Sequence, residues 1–204
     1  MNLRARVADL SQGLRKTLGL GSRSRGYFEA KYRDRDPWHY EENPYEQRKY
    51  QATLDHLPTN GLARVLELGA GEGLFTERLA VRAENVVGAD ISSVALVRAQ
   101  ERCRRFANVN FRQLDVTREA IEGSFTLVVC AELLYYFDRR GLRRACAEIA
   151  RAIEPGGHAV LVNPEDKAQA IHAIWSAEPR FAANGGTRMA DDVRPYNISL
   201  WRRT

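Results

Sequence analysis

From Arg64 onward the chain alternates short apolar runs with amphipathic stretches, and that alternation restricts it to a parallel sheet covered by helices on both faces. The pattern predicts strands at Arg64–Leu68, Asn85–Ala89, Val109–Leu114, Ser124–Ala131 and His158–Val162. Between them lie predicted helices near Leu74–Arg82, Ser93–Phe106 and Gly141–Ile153, the last closed by Glu154-Pro155-Gly156-Gly157. A further helix, Lys167–Trp175, precedes two short strands, Thr187–Ala190 and Tyr196–Arg202, which read as antiparallel. The expectation is an α/β, doubly wound, mostly parallel sheet.

Upstream, Glu46–Leu57 has a helical pattern that Pro58 and Gly61 stop. Tyr27–Tyr50 is dense in aromatic and charged residues, with turn signals at Asp36-Pro37-Trp38 and Asn43-Pro44-Tyr45. Residues 27–62 are therefore read as a helical lid before a core at 63–204. Residues 1–26 are a basic extension: Leu3, Val7, Leu10, Leu14 and Leu18 make one apolar helical stripe, and Gly19–Gly26 reads as a flexible joint. This extension has six cations against Asp9 alone, which equals the whole formal surplus of +5, so the remainder is neutral. The apolar fraction, 44%, suffices for a core, yet no apolar run is long enough to span a membrane. Arg4, Arg6 and Asp9 interrupt any secretory signal, and Cys103, Cys130 and Cys146 form no close pair. The expectation is a reduced, metal-free, cytoplasmic protein.

The informative motif is Glu67-Leu68-Gly69-Ala70-Gly71-Glu72-Gly73, which follows a strand and opens a helix. Glycines at such a turn let backbone amides approach a ligand and let the next element pack closely. A dinucleotide fingerprint needs its third glycine where Leu74 stands, and no Lys or Arg is present for a phosphate. Glu67 and Glu72 would repel a phosphate, so the loop suits a cationic ligand such as S-adenosylmethionine. Asp90 ends the second strand 23 residues after Glu67, where a carboxylate can accept ribose hydroxyls. Asp115 ends the third and is placed to accept from an adenine amine, with Ile91 and Val116 against the ring. Each Asp taken singly also suits a helix N-cap.

These motifs resemble class I methyltransferases, and within them the nodulation protein S family. Phe75-Thr76-Glu77-Arg78-Leu79-Ala80 and Ala131-Glu132-Leu133-Leu134-Tyr135-Tyr136 carry the resemblance, with Asp36-Pro37-Trp38, Asn43-Pro44-Tyr45-Glu46 and Lys49-Tyr50 upstream. It runs from Tyr27 to Val162. It implies a Rossmann-like seven-stranded sheet of order 3-2-1-4-5-7-6, S-adenosylmethionine as cofactor, and methyl transfer to an amine or hydroxyl of a small sugar-like acceptor. Trp38, Glu67, Gly69, Ala70, Gly71, Asp90, Ile91, Asp115, Val116 and Ala131 are then the expected cofactor residues.

Glu132 is the candidate base, because the fourth strand's carboxyl end adjoins the expected methyl position; Tyr135 is its candidate partner in orienting the acceptor. Trp38, Tyr27, Tyr32 and Tyr45 read as the lid's aromatic face, and Glu67 is expected to bond loop amides or an ammonium. The rival readings are a nucleic-acid methyltransferase, prompted by the high pI, a non-catalytic cofactor-binding subunit and a nicotinamide oxidoreductase. The first lacks the Asn-Pro-Pro-aromatic motif after the fourth strand, where Ala131-Glu132-Leu133-Leu134 stands, so no nucleic-acid partner is expected. Residues 2–18 are expected to touch a membrane surface or a partner protein.

Overall fold

The computed structural model describes residues 22–60 and 62–204; the apolar stripe at 2–18 lies outside them. Its strands are β1 (Arg64–Leu68), β2 (Asn85–Asp90), β3 (Val109–Gln113), β4 (Phe125–Ala131), β5 (Ile153–Pro164), β6 (Phe181–Met189) and β7 (Tyr196–Arg203). They form one seven-stranded sheet of order β3-β2-β1-β4-β5-β7-β6, as expected. Pairing is parallel from β3 across to β5 and antiparallel on both sides of β7. The order of strand addition reverses between β1 and β4, and such a switch point opens a crevice at the strands' carboxyl ends.

The helices are α1 (Arg25–Lys31), α2 (Pro44–Asp55), α3 (Leu74–Ala80), α4 (Ser93–Cys103), α5 (Arg139–Ala152) and α6 (Glu165–Ser176). Ser24, Asn43, Ser92 and Asp138 cap four of these by accepting from backbone N–H groups. Alternate strand residues feed opposite layers. Leu66, Val128, Cys130 and Leu161 pack under α5 and α6 with Ile149, Ile171 and Trp175. Val65, Leu127, Val129 and Val160 pack under α2 and α3 with Tyr50, Leu54, Phe75 and Leu79. A third cluster of Phe28, Tyr32 and Ala95 holds α1 on α4.

Three local expectations change. Ser24 caps α1, so Arg25 and Gly26 are helical rather than part of a flexible joint. Helix α5 ends at Ala152, and the Pro-Gly-Gly turn falls within β5, where pairing jumps from Phe125–Ile153 to Leu127–His158. Strand β6 starts at Phe181 rather than Thr187, and Ala182–Arg188 is exposed on both faces. With no buried face there is no alternation to read.

Candidate active site

A cleft opens where the carboxyl ends of β1, β2 and β4 meet, roofed by the segment 28–53. All ten expected cofactor residues line it: Glu67, Gly69, Ala70 and Gly71 after β1, Asp90 and Ile91 after β2, Asp115 and Val116 after β3, Ala131 on β4, and Trp38 from the roof. Glu132 lines it as well. Tyr135 does not; Tyr136 forms that wall, and Tyr135 stands behind Glu132.

The loop after β1 is folded by its glycines. Gly69, Gly71 and Gly73 all have positive φ, and the N–H groups of Gly69 and Ala70 bond the Ala89 carbonyl at 2.8 and 3.0 Å. A Cβ at Gly71 would lie 2.7 Å from Tyr32 Oη, so the roof descends directly onto the loop there. Gly73 sets the approach of a helix: its missing Cβ would lie 3.1 Å from Ala99 on α4.

Asp90 takes the Gly71 N–H at 2.9 Å on one oxygen and the Ser92 N–H at 2.8 Å on the other. It therefore staples the loop to β2 and keeps free lone pairs on both oxygens. Burial pushes its carboxyl up to about 6 against the pull of those donors. Glu67 accepts from Thr76 Oγ1 on α3 and not from a loop amide, which corrects that expectation. Burial pushes it up to about 8. Asp115 accepts from the backbone N–H of Thr117 at 3.0 Å and from its hydroxyl, the local turn its position equally suggested.

Glu72 is not the free anion its position implied. It pairs with Arg98 on α4 and accepts the Asp36 N–H at 3.1 Å, so it docks the roof. Asp36 in turn accepts from the N–H groups of Tyr40 and Glu41 at 2.7 and 2.9 Å, shaping the turn that carries Trp38. Trp38 meets Tyr32 edge-on with centroids 5.1 Å apart and stacks on Tyr40 at 5.8 Å. Of the four aromatics expected in the roof, Tyr32 and Trp38 line the cleft. Tyr45 instead packs into the core against Tyr196, and Tyr27 against Phe28. Tyr40 and Tyr50 line the cleft in their place.

Beside Glu132 lies a buried ionic cluster. Lys49 Nζ is 2.8 Å from Glu46 and 3.1 Å from Glu132, and Tyr135 Oη donates to the other Glu132 oxygen at 2.8 Å. Glu46 and Lys49 are 7% and 4% exposed, values such residues reach only when paired. Burial holds the Glu46 carboxyl above its usual range even with the Lys49 ammonium beside it. Neither residue was assigned a role from sequence. The signal was there, as two charges one helical turn apart on a helix whose other inward residues, Tyr45, Tyr50, Thr53 and Leu54, are all uncharged. The Lys49 Nζ also lies 4.8 Å from the Tyr45 ring centroid. Glu132 has φ +55°, a left-handed conformation that a non-glycine residue adopts at a cost. The N–H of Glu132 bonds the Val162 carbonyl at 2.9 Å, so the strained residue is held from backbone and side chain together.

Among the described residues no group of three or more His, Cys, Asp or Glu is placed to hold a metal, and no helix is long and apolar enough to cross a membrane. Cys103, Cys130 and Cys146 are free and buried.

The sequence profile of the family described as Nodulation protein S (NodS) matches residues 23–178, well over half of the chain. The chain belongs to the nodulation protein S family. Among curated relatives, nodulation protein S of Rhizobium tropici is 34% identical over 133 residues, covering 64% of this chain and 56% of that protein. Ubiquinone biosynthesis O-methyltransferase of Pseudomonas aeruginosa is 31% identical over 153 residues, 70% of this chain and 64% of that one. The chain thus spans between half and two thirds of these relatives' lengths. Among solved structures, N-methyltransferase NodS from Bradyrhizobium japonicum WM9, in complex with S-adenosyl-L-homocysteine, has TM-score 0.79 at 23% identity. That superposition covers 88% of this chain and 97% of the other and establishes a Rossmann-like methyltransferase fold. The nodulation protein S match ends before β6 and β7, so the loop bearing Asp191 and Arg194 lies beyond it.

Proposed function

We propose that this protein is an S-adenosylmethionine-dependent methyltransferase acting on an amine, or else a hydroxyl, of a small sugar-like acceptor. One observation carries the reading: the three carboxylates expected to bind the cofactor share a single cleft with Glu132, and the glycine loop between them has no cation. The donor set fits the cofactor. Asp90, already held by two N–H groups, retains lone pairs for ribose hydroxyls; Asp115 with Ile91 and Val116 suits the adenine. Glu67, Gly69, Ala70 and Gly71 would hold the cationic amino-acid end, with Ala131 near it and Trp38 above. The cofactor supplies a methyl group already activated by its sulfonium. The protein's part is alignment, exclusion of water and removal of one proton from the acceptor, of which alignment alone supplies on the order of 7–11 kcal/mol.

Glu132 is the group that takes that proton and passes it to solvent. Lys49 and Tyr135 each hold one of its oxygens, so its carboxyl cannot swing away from the cleft. Glu46, Lys49 and Glu132 together have a net charge of −1, which favours a cationic acceptor such as an ammonium that is deprotonated on binding. The nodulation protein S relatives support nitrogen as the accepting atom, and the ubiquinone O-methyltransferase relatives keep oxygen as the second reading. A cytoplasmic location accords with a cleft that binds a cytoplasmic cofactor.

Calorimetry with S-adenosylmethionine, S-adenosylhomocysteine and NAD tests the cofactor, and binding of NAD alone would sink the proposal. Turnover on a panel of glucosamine oligomers, catechols and a short RNA then tests the acceptor. The expected result is methylation of the amino sugars by the wild type and its loss in Glu132→Gln.

A further inference from the structure

Glu132 has a donor on each carboxyl oxygen, Lys49 Nζ at 3.1 Å on one and Tyr135 Oη at 2.8 Å on the other. Tyr135 does not reach the cleft; its ring packs with Leu134 and Leu142 in the layer beneath α5. Its neighbour Tyr136 lines the cleft and packs with Phe28 and Tyr32 against the roof. The two belong to a 3₁₀ turn, Leu134–Tyr136, in which successive side chains point about 120° apart. Their rings nevertheless converge, with centroids 4.6 Å apart and planes tilted by 40°. Their hydroxyls share a hydrogen bond. A phenol has one proton to give. The anionic carboxylate is the stronger acceptor and takes the proton of Tyr135, so Tyr136 is the donor between the two phenols. A line of hydroxyls thus runs from the cleft wall to the base.

Burial pushes both hydroxyls up, and the Glu132 charge adds to the effect. Neither is a phenolate at neutral pH, so each can accept a proton only while giving up its own. The other titratable groups facing the pair and Glu132 are Tyr32 and Tyr40 from the roof, Tyr45, Glu46 and Lys49 from α2, and Arg23 and Arg194. Of these, Lys49 is in ion-pair contact with Glu132, and it cannot carry a proton from the cleft because an ammonium has no acceptor site.

We propose that Tyr136 is a catalytic residue of the methyl transfer and that Tyr135 joins it to Glu132, the three forming a relay that removes the proton of an amine acceptor. The proposal rests on the reading of Glu132 as the base. An N–H bond of the bound ammonium breaks and its proton goes to Tyr136 Oη. The Tyr136 proton moves to Tyr135 Oη, and the Tyr135 proton to the Glu132 carboxylate. Both phenols end as they began. Charge changes only at the two ends: the amine is left neutral, with the lone pair that methyl transfer needs, and Glu132 becomes a carboxylic acid that later loses its proton to solvent.

The test is kcat of the full chain for N-methylation of a glucosamine tetramer, with S-adenosylmethionine saturating, between about pH 6 and 9. Near neutral pH, Tyr135→Phe and Tyr136→Phe should each lower kcat on the order of 10²-fold. The double variant should lose no more than either single one, because a relay cut at one link or at two is equally broken. Towards about pH 9 a growing share of the amine arrives without its proton, and both variants should return to within a few-fold of wild type. A lost packing contact or a loosened Glu132 would not be repaired by pH. Calorimetry with S-adenosylmethionine shows that the variants fold. Losses that multiply in the double variant, or that persist undiminished at high pH, would overturn the relay. Wild-type rates in both tyrosine variants beside an inactive Glu132→Gln would overturn it too, while leaving Glu132 as the base. A wild type that does not methylate the tetramer would overturn the amino-sugar reading and the relay with it.

Discussion

Glu132 occupies a conformation that costs a non-glycine residue on the order of 1–3 kcal/mol, and it keeps it because Lys49, Tyr135 and the Val162 carbonyl hold it from three sides. Replacing Lys49 by Met removes the only cation of a buried cluster and leaves two carboxylates facing each other. Urea unfolding should then show a loss of about 3–5 kcal/mol, partly recovered when Glu46→Gln is added. At Gly71 the constraint is steric as well as conformational. Gly71→Ala places a methyl 2.7 Å from Tyr32 Oη at a φ of +53°, so calorimetry should show cofactor affinity falling at least tenfold. Adding Tyr32→Phe removes the clashing oxygen and should restore part of the loss; no recovery would mean that backbone strain alone is responsible. The positions of Gly71 and Asp90 were readable because their chemistry follows from strand-end spacing. The Glu46–Lys49–Glu132 contact was not, because Lys49 and Glu132 are 83 residues apart and only α2 lying across β4 joins them.

At the level of elements, short polar bridges secure the roof. Glu29 on α1 accepts from Ser92 Oγ, from the N–H and Oγ of Ser93, and from the Val94 N–H, at 2.9 to 3.4 Å. It thus supplies an anion at the positive end of α4 from a different helix. Burial raises the Glu29 carboxyl, but these donors outweigh it and hold it below the usual range. A carboxyl lowered in the fold contributes stability above its unfolded pKa and loses it as pH falls through the folded value. Glu29→Ala should therefore cost about 1 kcal/mol at neutral pH and progressively less as acid titrates the wild-type carboxyl, measured by denaturant midpoints. Helix α1 itself escaped sequence reading because, at seven residues, it is shorter than two full heptads and its inward residues are aromatic rather than periodic. Strand β6 escaped for the opposite reason: it is long, but exposed on both faces.

Across the whole molecule, two buried acids at one site couple stability to pH. Glu67, pushed up to about 8, and Asp90, to about 6, hold protons in the folded state that the unfolded chain releases near pH 4. Where the folded state binds more protons, stability falls as pH rises. The free protein should therefore lose a few kcal/mol between about pH 4.5 and 8, and Glu67→Gln, which can still accept from Thr76, should flatten most of that slope in thermal melts. The mostly parallel sheet, its crevice and the acids at the strand ends were legible in the sequence, while the order 3-2-1-4-5-7-6 came from the resemblance to class I methyltransferases. Alternation of apolar strands with helices leaves few topologies, and the crevice follows from the topology. Tertiary structure alone decided where these side chains are spent within the protein. Glu72 went to Arg98 and the roof, Tyr45 to the core, and Lys49 to the base. Sequence spacing sets which residues share a strand end or a helix face, but pairing across elements depends on distances that exist only once the layers have packed.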